Sequence, residues 1–292
     1  MSQAPDKQKV SETRSNLVRF FYTRMFKDLV RLRYRRYFDQ PQVFCLFIGY
    51  PRSGHTLIGS LLNAHPEMCI AHELNILKYV ARGHNRDRLY AKLIGRDKWF
   101  SARRNIWTGF SYKVPGQWQG TFRNLKVIGD KKGGRSSRAL TENPELLDRL
   151  QETLGIPVRL IHIVRNPFDN IATRARGGSD KNKEATPEDL KREIDRHFRE
   201  VETISRIRQE GRYEMYEARH EDFLEEPARH LAEMCRFLGV EASDDYLEAC
   251  TGIIRRSRHK SRHKVEWTQQ AIDDIRRRME PYDFLRHYTF DE

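Results

Sequence analysis

The stretch Val43-Phe44-Cys45-Leu46-Phe47-Ile48-Gly49-Tyr50-Pro51-Arg52-Ser53-Gly54-His55-Thr56-Leu57 constrains this chain more than any other. Its apolar run reads as a buried strand. A short turn of Gly, Pro and Ser follows, and then an apolar-periodic helix begins. Strand, tight turn and helix N-terminus together form a cradle for an anion, because the first backbone N–H groups of a helix have no partner inside it. Gly49 to Thr56 fits the pattern G-x-x-x-x-G-K-[ST] at every defined position except one, where His55 stands in place of lysine. That lysine reaches the β- and γ-phosphates of a nucleoside triphosphate. A cradle without it suits a different phosphorylated ligand.

The same alternation recurs downstream. Residues 125–129, 158–164 and 213–218 read as further strands. Helices are expected over 55–64, 144–154, from Pro167 onward, over 187–210, and over 227–238 with Gly239 as cap. Residues 72–110 read as charged and helical with loops, Asp130 to Gly134 as a turn, and 177–183 as a flexible loop. Strands alternating with helices predict an α/β, three-layer fold with a central, mainly parallel sheet. Residues 1–15 are polar without periodicity and are expected to be disordered. Residues 16–40 form a basic amphipathic helix, and 41–292 a single domain. The helix is expected to pack on the core, with weak peripheral membrane contact through 16–38 as the lesser reading.

Net charge is +13 and the pI about 9.7. Such a field attracts anions without saying which. Cys45, Cys69, Cys235 and Cys250 are scattered and read as buried free thiols, not as a disulfide or zinc framework. No apolar stretch approaches a membrane span and the polar stretch Met1 to Asn16 lacks a signal-peptide core, so a cytoplasmic location is expected.

A second constellation is Val164-Arg165-Asn166-Pro167-Phe168-Asp169-Asn170-Ile171-Ala172-Thr173. Arg165 sits at the carboxyl end of a strand, where open parallel sheets bind ligands. Thr173 lies two helical turns on and shares a face with Asn166 and Asn170, so it can support a group bound beside Arg165.

Together the two motifs resemble the sulfotransferases that use 3′-phosphoadenosine 5′-phosphosulfate (PAPS), with their P-loop NTPase-like fold. Their 5′-phosphosulfate loop reads like Tyr50-Pro51-Arg52-Ser53-Gly54-His55-Thr56, and their 3′-phosphate motif is an arginine with a serine eight residues later. Ile128-Gly129-Asp130-Lys131, Glu221-Asp222-Phe223 and Phe237-Leu238-Gly239 add supporting likeness. The resemblance implies transfer of a sulfuryl group to an acceptor hydroxyl, with PAPS as donor, 3′,5′-ADP (PAP) as product and no metal requirement. It implies that Arg52, Ser53, Gly54, His55, Thr56 and Leu57 bind the 5′ end of the donor, and that Arg165 and Thr173 hold the 3′-phosphate. Arg52 and Lys131 would stabilise charge on the sulfuryl group and the leaving oxygen, with Lys132 as neighbour to Lys131.

Asn63-Ala64-His65-Pro66 followed by Glu73 is similar to the tyrosylprotein branch of that family, which places a catalytic glutamate after Asp-Ala-His-Pro. Glu73 is the implied general base and His72 its rival, since imidazole sits closer to neutral pKa. The basic block 255–264 suggests a segment closing over the 3′-phosphate, with Ser257 or Arg258 in contact. Several positions depart from the family. Arg52 stands where many members carry Lys, His55 replaces Thr, and no Trp follows the loop to stack adenine. The acceptor is left open among carbohydrate, small alcohol and tyrosine, and a homodimer is left open too. Two other readings stand beside this one. A small-molecule kinase would use Asp130 at a metal-binding strand end. A non-enzymatic polyanion binder explains the charge but not the ordered motifs, and nucleic acid is not the expected partner.

Overall fold

The computed structural model describes residues 32–177, 184–255 and 260–291. The expected disorder over 1–15, most of the helix over 16–40, nearly all of the loop over 177–183, and Ser257 and Arg258 lie outside the described residues.

Five parallel strands make the central sheet: β1 (Val43–Gly49), β2 (Met68–Ala71), β5 (Val127–Asp130), β6 (Val158–Val164) and β7 (Met215–Arg219). Their order is β2-β5-β1-β6-β7. A separate two-stranded hairpin pairs β3 (Ile106–Trp107) with β4 (Phe110–Ser111). Every residue of β1 is buried. Successive side chains of a strand point to opposite faces, and β1 shows it directly. Phe44, Leu46 and Ile48 enter one core cluster, whereas Val43, Cys45 and Phe47 enter the other. That two-sided burial demands helices on both faces.

On one face lie α3 (Arg86–Ala102), α4 (Gly133–Glu142), α5 (Leu146–Leu154), α6 (Pro167–Ala175) and α7 (Pro187–Glu210), with the short α2 (Leu77–Val80). On the other lie α1 (His55–Leu62), α9 (Pro227–Phe237) and α10 (Asp244–Thr251), preceded by the short α8 (His220–Glu225). The last helix, α11 (Gln269–Met279), returns to the first face through Ile275 and Met279. Thr186 opens α7 with a reciprocal capping box to Asp189, and Pro187 sits inside the first turn. Arg174 of α6 donates to Glu193 at 2.7 Å and Glu200 at 2.9 Å, locking α6 to α7. All four cysteines are buried and unbridged. Among the described residues no helix is long and apolar enough to cross a membrane.

Three sequence expectations change, the first being that the β3–β4 hairpin falls at the end of the stretch 72–110 read as helical with loops. Strand β2 falls in a stretch read as neither helix nor strand. The segment Asp130 to Gly134 is not a turn: Asp130 ends β5, and Gly133 and Gly134 open α4. A Cβ on Gly133 would lie 2.3 Å from the His55 ring and one on Gly134 2.6 Å from Pro51. The glycines therefore let α4 press against the loop after β1.

Candidate active site

The carboxyl ends of all five sheet strands deliver a polar residue to one edge. Gly49 leads into the loop 50–54, Ala71 into His72 and Glu73, Asp130 into Lys131 and Lys132, Val164 into Arg165, and Arg219 into His220. This is where open parallel sheets bind ligands. A cavity of about 490 Å³ opens there, lined among others by Arg52, Thr56, Glu73, Lys131, Arg165 and His220. A second cavity of about 690 Å³ shares Arg165, His220 and Leu224 with it and adds Lys260 and Arg262.

The loop is anchored from below. Tyr50 is fully buried, its ring 4.4 Å from His197 and 5.5 Å from His162. The Ser137 hydroxyl of α4 receives the Gly49 N–H at 2.8 Å and donates to the Gly49 carbonyl at 2.9 Å. Gly54 turns the chain into α1 with φ +86°, a left-handed conformation that glycine adopts without a Cβ clash. His220 packs so close that a Cβ on Gly54 would lie 2.4 Å from its Nδ1. The Ser53 hydroxyl is buried, accepts from Asn170 at 3.0 Å and faces neither cavity. Thr56, His55 and Leu57 do line the first cavity. Burial, then Lys131, hold the His55 imidazole down at about 3, so it is neutral near pH 7.

Lys131 is the hub. Its Nζ donates to the Thr56 hydroxyl at 2.8 Å and to Glu73 Oε1 at 3.1 Å, while Lys132 donates to the other Glu73 oxygen. Strand register makes this contact. β2 pairs with β5 so that Ala71 faces Asp130, and the Lys131 amide donates to the Ala71 carbonyl at 3.0 Å. Glu73 and Lys131 therefore leave adjacent strands side by side. Asp130 fixes the turn that carries Glu73, accepting from the amides of Leu74 at 3.0 Å and Ile76 at 2.7 Å. Burial pushes the Asp130 carboxyl up to about 6. Both Arg52 and Glu73 sit at positive φ, +75° and +54°. Each costs an L-residue roughly 1–2 kcal/mol, and such strain clusters at functional sites.

The lysine–glutamate pair is asymmetric. Burial lowers Lys131 to about 8, and pairing with Glu73 only partly offsets it. Burial alone would raise Glu73, but Lys131 and Lys132 outweigh it and hold the carboxyl at about 2. One carboxylate serves two ammoniums, and Glu73 is the more open of the partners, so pairing wins there and burial wins at Lys131.

His72 does not join this cluster. Its ring stacks on Phe100 at 3.8 Å and lies edge-on to Trp107 at 4.7 Å. It lines neither cavity, both ring nitrogens are buried without a hydrogen-bond partner, and burial keeps it near 2. Both residues lie in the bend after β2, where Glu73 at φ +54° turns out of the extended path.

Arg165 donates from Nη1 to the Arg52 carbonyl at 2.8 Å, tying the two motifs together, and lines both cavities. Thr173 lines neither; its hydroxyl donates back to the Asp169 carbonyl at 2.8 Å. What the structure sets beside Arg165 is Arg262. It is 1% exposed, donates from Nη1 to Asp169 at 3.0 Å, and keeps Nε and Nη2 without partners. Its turn, Ser261–Lys264, packs on α6. Arg262 and His220 were missed in the sequence, where Arg262 was one of several cations in a basic block. The signal available for His220 was its place directly after a strand.

A five-stranded parallel sheet with an anion cradle after its central strand, and lysines and arginines converging on it, defines a group-transfer enzyme of the P-loop-like α/β class. Residues 41–244 match the family model described as Sulfotransferase family, so the chain belongs to that family. No curated protein matches the chain. Among solved structures it is similar to sulfotransferase STF9 from Mycobacterium avium, with 11% identity over 84% of this chain and 77% of that one, at a TM-score of 0.48. It is also similar to sulfotransferase STF1 from Mycobacterium tuberculosis H37Rv, at 14%, 87% and 81% with a TM-score of 0.46. The sulfotransferase domain of the Synechococcus PCC 7002 olefin synthase gives 17%, 72%, 78% and 0.43.

Proposed function

We propose that the protein moves a sulfuryl group from PAPS to an acceptor hydroxyl, with Glu73 as general base. The observation that carries this reading is the Thr56–Lys131–Glu73 chain of contacts at the mouth of the anion cradle. The residues also fit a nucleotide with phosphate at both ends of its ribose. The backbone amides of 53–56 and the Thr56 hydroxyl face the 5′ group. Arg165 and the two unpartnered N–H groups of buried Arg262 supply a second anion site. Leu57, Leu224 and Ile253, which line the first cavity and pack on one core cluster, offer an aliphatic slot for the purine in a chain with no Trp after the loop to stack it.

PAPS supplies an activated sulfuryl group. The acceptor O–H gives its proton to Glu73 while its oxygen bonds to sulfur. The bond from sulfur to the phosphate oxygen breaks, and 3′,5′-ADP leaves with that electron pair. Lys131 and Arg52 stabilise the leaving oxygen as fixed cations. In the structure Glu73 is too acidic to accept that proton readily, because two ammoniums hold it. An anionic donor competes for those ammoniums, which raises the Glu73 pKa when the donor arrives. His72 has no place in this scheme, and neither Ser53 nor Thr173 needs to offer its side chain.

The kinase reading has less support, because Asp130 accepts from the Leu74 and Ile76 amides and lines neither cavity. Calorimetry tests the proposal. Micromolar binding of 3′,5′-ADP with none of ATP is expected, and ATP preference refutes it.

A further inference from the structure

Cavity walls divide by what they share. Arg165, His220 and Leu224 border both cavities and belong to the side proposed for the donor's 3′ end. Trp107, Phe110, Tyr112, Lys132, Arg135 and Arg255 border only the first. Three aromatic rings and, besides Arg52, Lys131 and Arg138, three further cations thus line the first cavity outside that shared wall. The rings come from the β3–β4 hairpin, whose Phe110 is 47% exposed. Arg255 sits over the Phe110 ring at 5.7 Å.

Charge is unevenly matched there. Glu73 is the one carboxylate lining the cavity among the described residues, and Lys131 and Lys132 already hold it. Arg135 and Arg255 are exposed and have no carboxylate partner among the described residues. The donor's anionic groups have Arg52, Lys131, Arg165 and Arg262 on the proposed reading. Arg135 and Arg255 are left over; both line the same cavity as the aromatic rings, and Arg255 lies over one of them. Exposed aromatic rings suit a body with a flat C–H surface, and fixed guanidiniums suit carboxylate or sulfate. A volume of about 490 Å³ is at the small end of the roughly 300–1,000 Å³ of ligand pockets. The donor's 5′ end would share it, so the acceptor must engage the open rim.

We propose that the acceptor is an acidic sugar chain, one pyranose stacking on Phe110 and Trp107 while a neighbouring carboxylate or sulfate is held by Arg135 and Arg255. This rests on the donor reading above. It also gives the net charge of +13 a use, since a basic surface concentrates a polyanion at the site. The reacting group is a sugar hydroxyl that reaches Glu73, with the bond changes given above.

Calorimetry on the full chain separates the two ideas. First, 3′,5′-ADP is titrated alone; no binding would sink the donor reading, and this inference with it. Then the 3′,5′-ADP complex is titrated with unsulfated chondroitin, heparosan, carboxyl-reduced chondroitin and dextran. At least one acidic polymer should bind in a salt-sensitive manner, with the carboxyl-reduced form at least tenfold weaker and dextran silent. Phe110→Ala, and Arg135→Ala combined with Arg255→Ala, should each weaken the acidic polymer roughly 5–20-fold while leaving 3′,5′-ADP affinity unchanged. The acceptor inference is overturned, and the donor reading kept, by any of three results: no binding of either acidic polymer, equal binding of the carboxyl-reduced polymer, or variants that bind as the parent does. Tighter binding of single-stranded RNA than of either acidic polymer overturns it as well.

Discussion

Gly59→Ala places one methyl group at the back of the active site, against the stem of Lys131. Gly59 is buried in the middle of α1. A Cβ there would lie 2.4 Å from Lys131 Cγ and 2.9 Å from Lys131 Cβ. Carbon atoms in contact prefer about 3.5–4.0 Å, so Lys131 must retreat by roughly 1 Å. It has nowhere to go by small adjustment. Its side chain is 2% exposed, and its backbone amide is held by the Ala71 carbonyl at 3.0 Å. The strained atoms are also the first two of the side chain, so the movement is carried to Nζ and takes it away from Thr56 and Glu73. Overpacking costs about 1–3 kcal/mol, and alanine regains about 1 kcal/mol of helix propensity. The net loss of about 0–2 kcal/mol should lower Tm by only a few degrees. A charge-assisted hydrogen bond is worth about 1.5–3 kcal/mol, so 3′,5′-ADP affinity should fall by roughly tenfold or more. Calorimetry beside thermal melts reads both. The double variant Gly59→Ala/Lys131→Ala should bind no worse than Lys131→Ala alone, because the two act through one contact. Parental affinity in Gly59→Ala, or additive losses in the double variant, would refute the reasoning.

Four further outcomes are expected. Glu73→Gln should cost about 10²–10⁴ in kcat, whereas His72→Phe, which keeps the stack on Phe100, should leave turnover within a few-fold; the reverse ranking would move the base to His72. Donor kcat/KM should fall as pH rises through about 8, where Lys131 loses its charge, and a profile flat to pH 10 would contradict that. Arg262→Ala should weaken 3′,5′-ADP at least tenfold and 5′-AMP hardly at all, with Thr173→Ala within about twofold for both; calorimetry of the four pairs decides it. The Glu73 pKa is depressed in the folded state to about 2, below the roughly 4.3 of an unfolded chain. Its pairing therefore adds stability above about pH 4.3 that is lost as pH falls towards 2. Urea midpoints of the parent and of Glu73→Gln should converge over that window.

Much of the site's framework can be read from the chain. The run at 43–49 and the loop to Thr56 specify strand, cradle and helix locally, because hydrophobic pattern, glycine and helix N-terminus all act within a few residues. β2 escapes such reading. It has four residues, and a strand that short differs little from a connection until its pairing partner is known. Gly133 and Gly134 mislead for a related reason. Glycines usually mark turns, but here they open a helix so that His55 and Pro51 can approach it.

The sequence by itself determined the fold class, the anion cradle and the family, since each is read from short segments whose own residues lie close together in the chain. Only the tertiary structure decided which groups meet. Register between β2 and β5 put Glu73 beside Lys131 across 58 residues and turned His72 into the wall behind Trp107. The packing of a basic turn on α6 chose Arg262, 93 residues from its Asp169 partner, out of a block of similar cations. Contacts at those separations depend on strand order and helix packing, which no local pattern encodes.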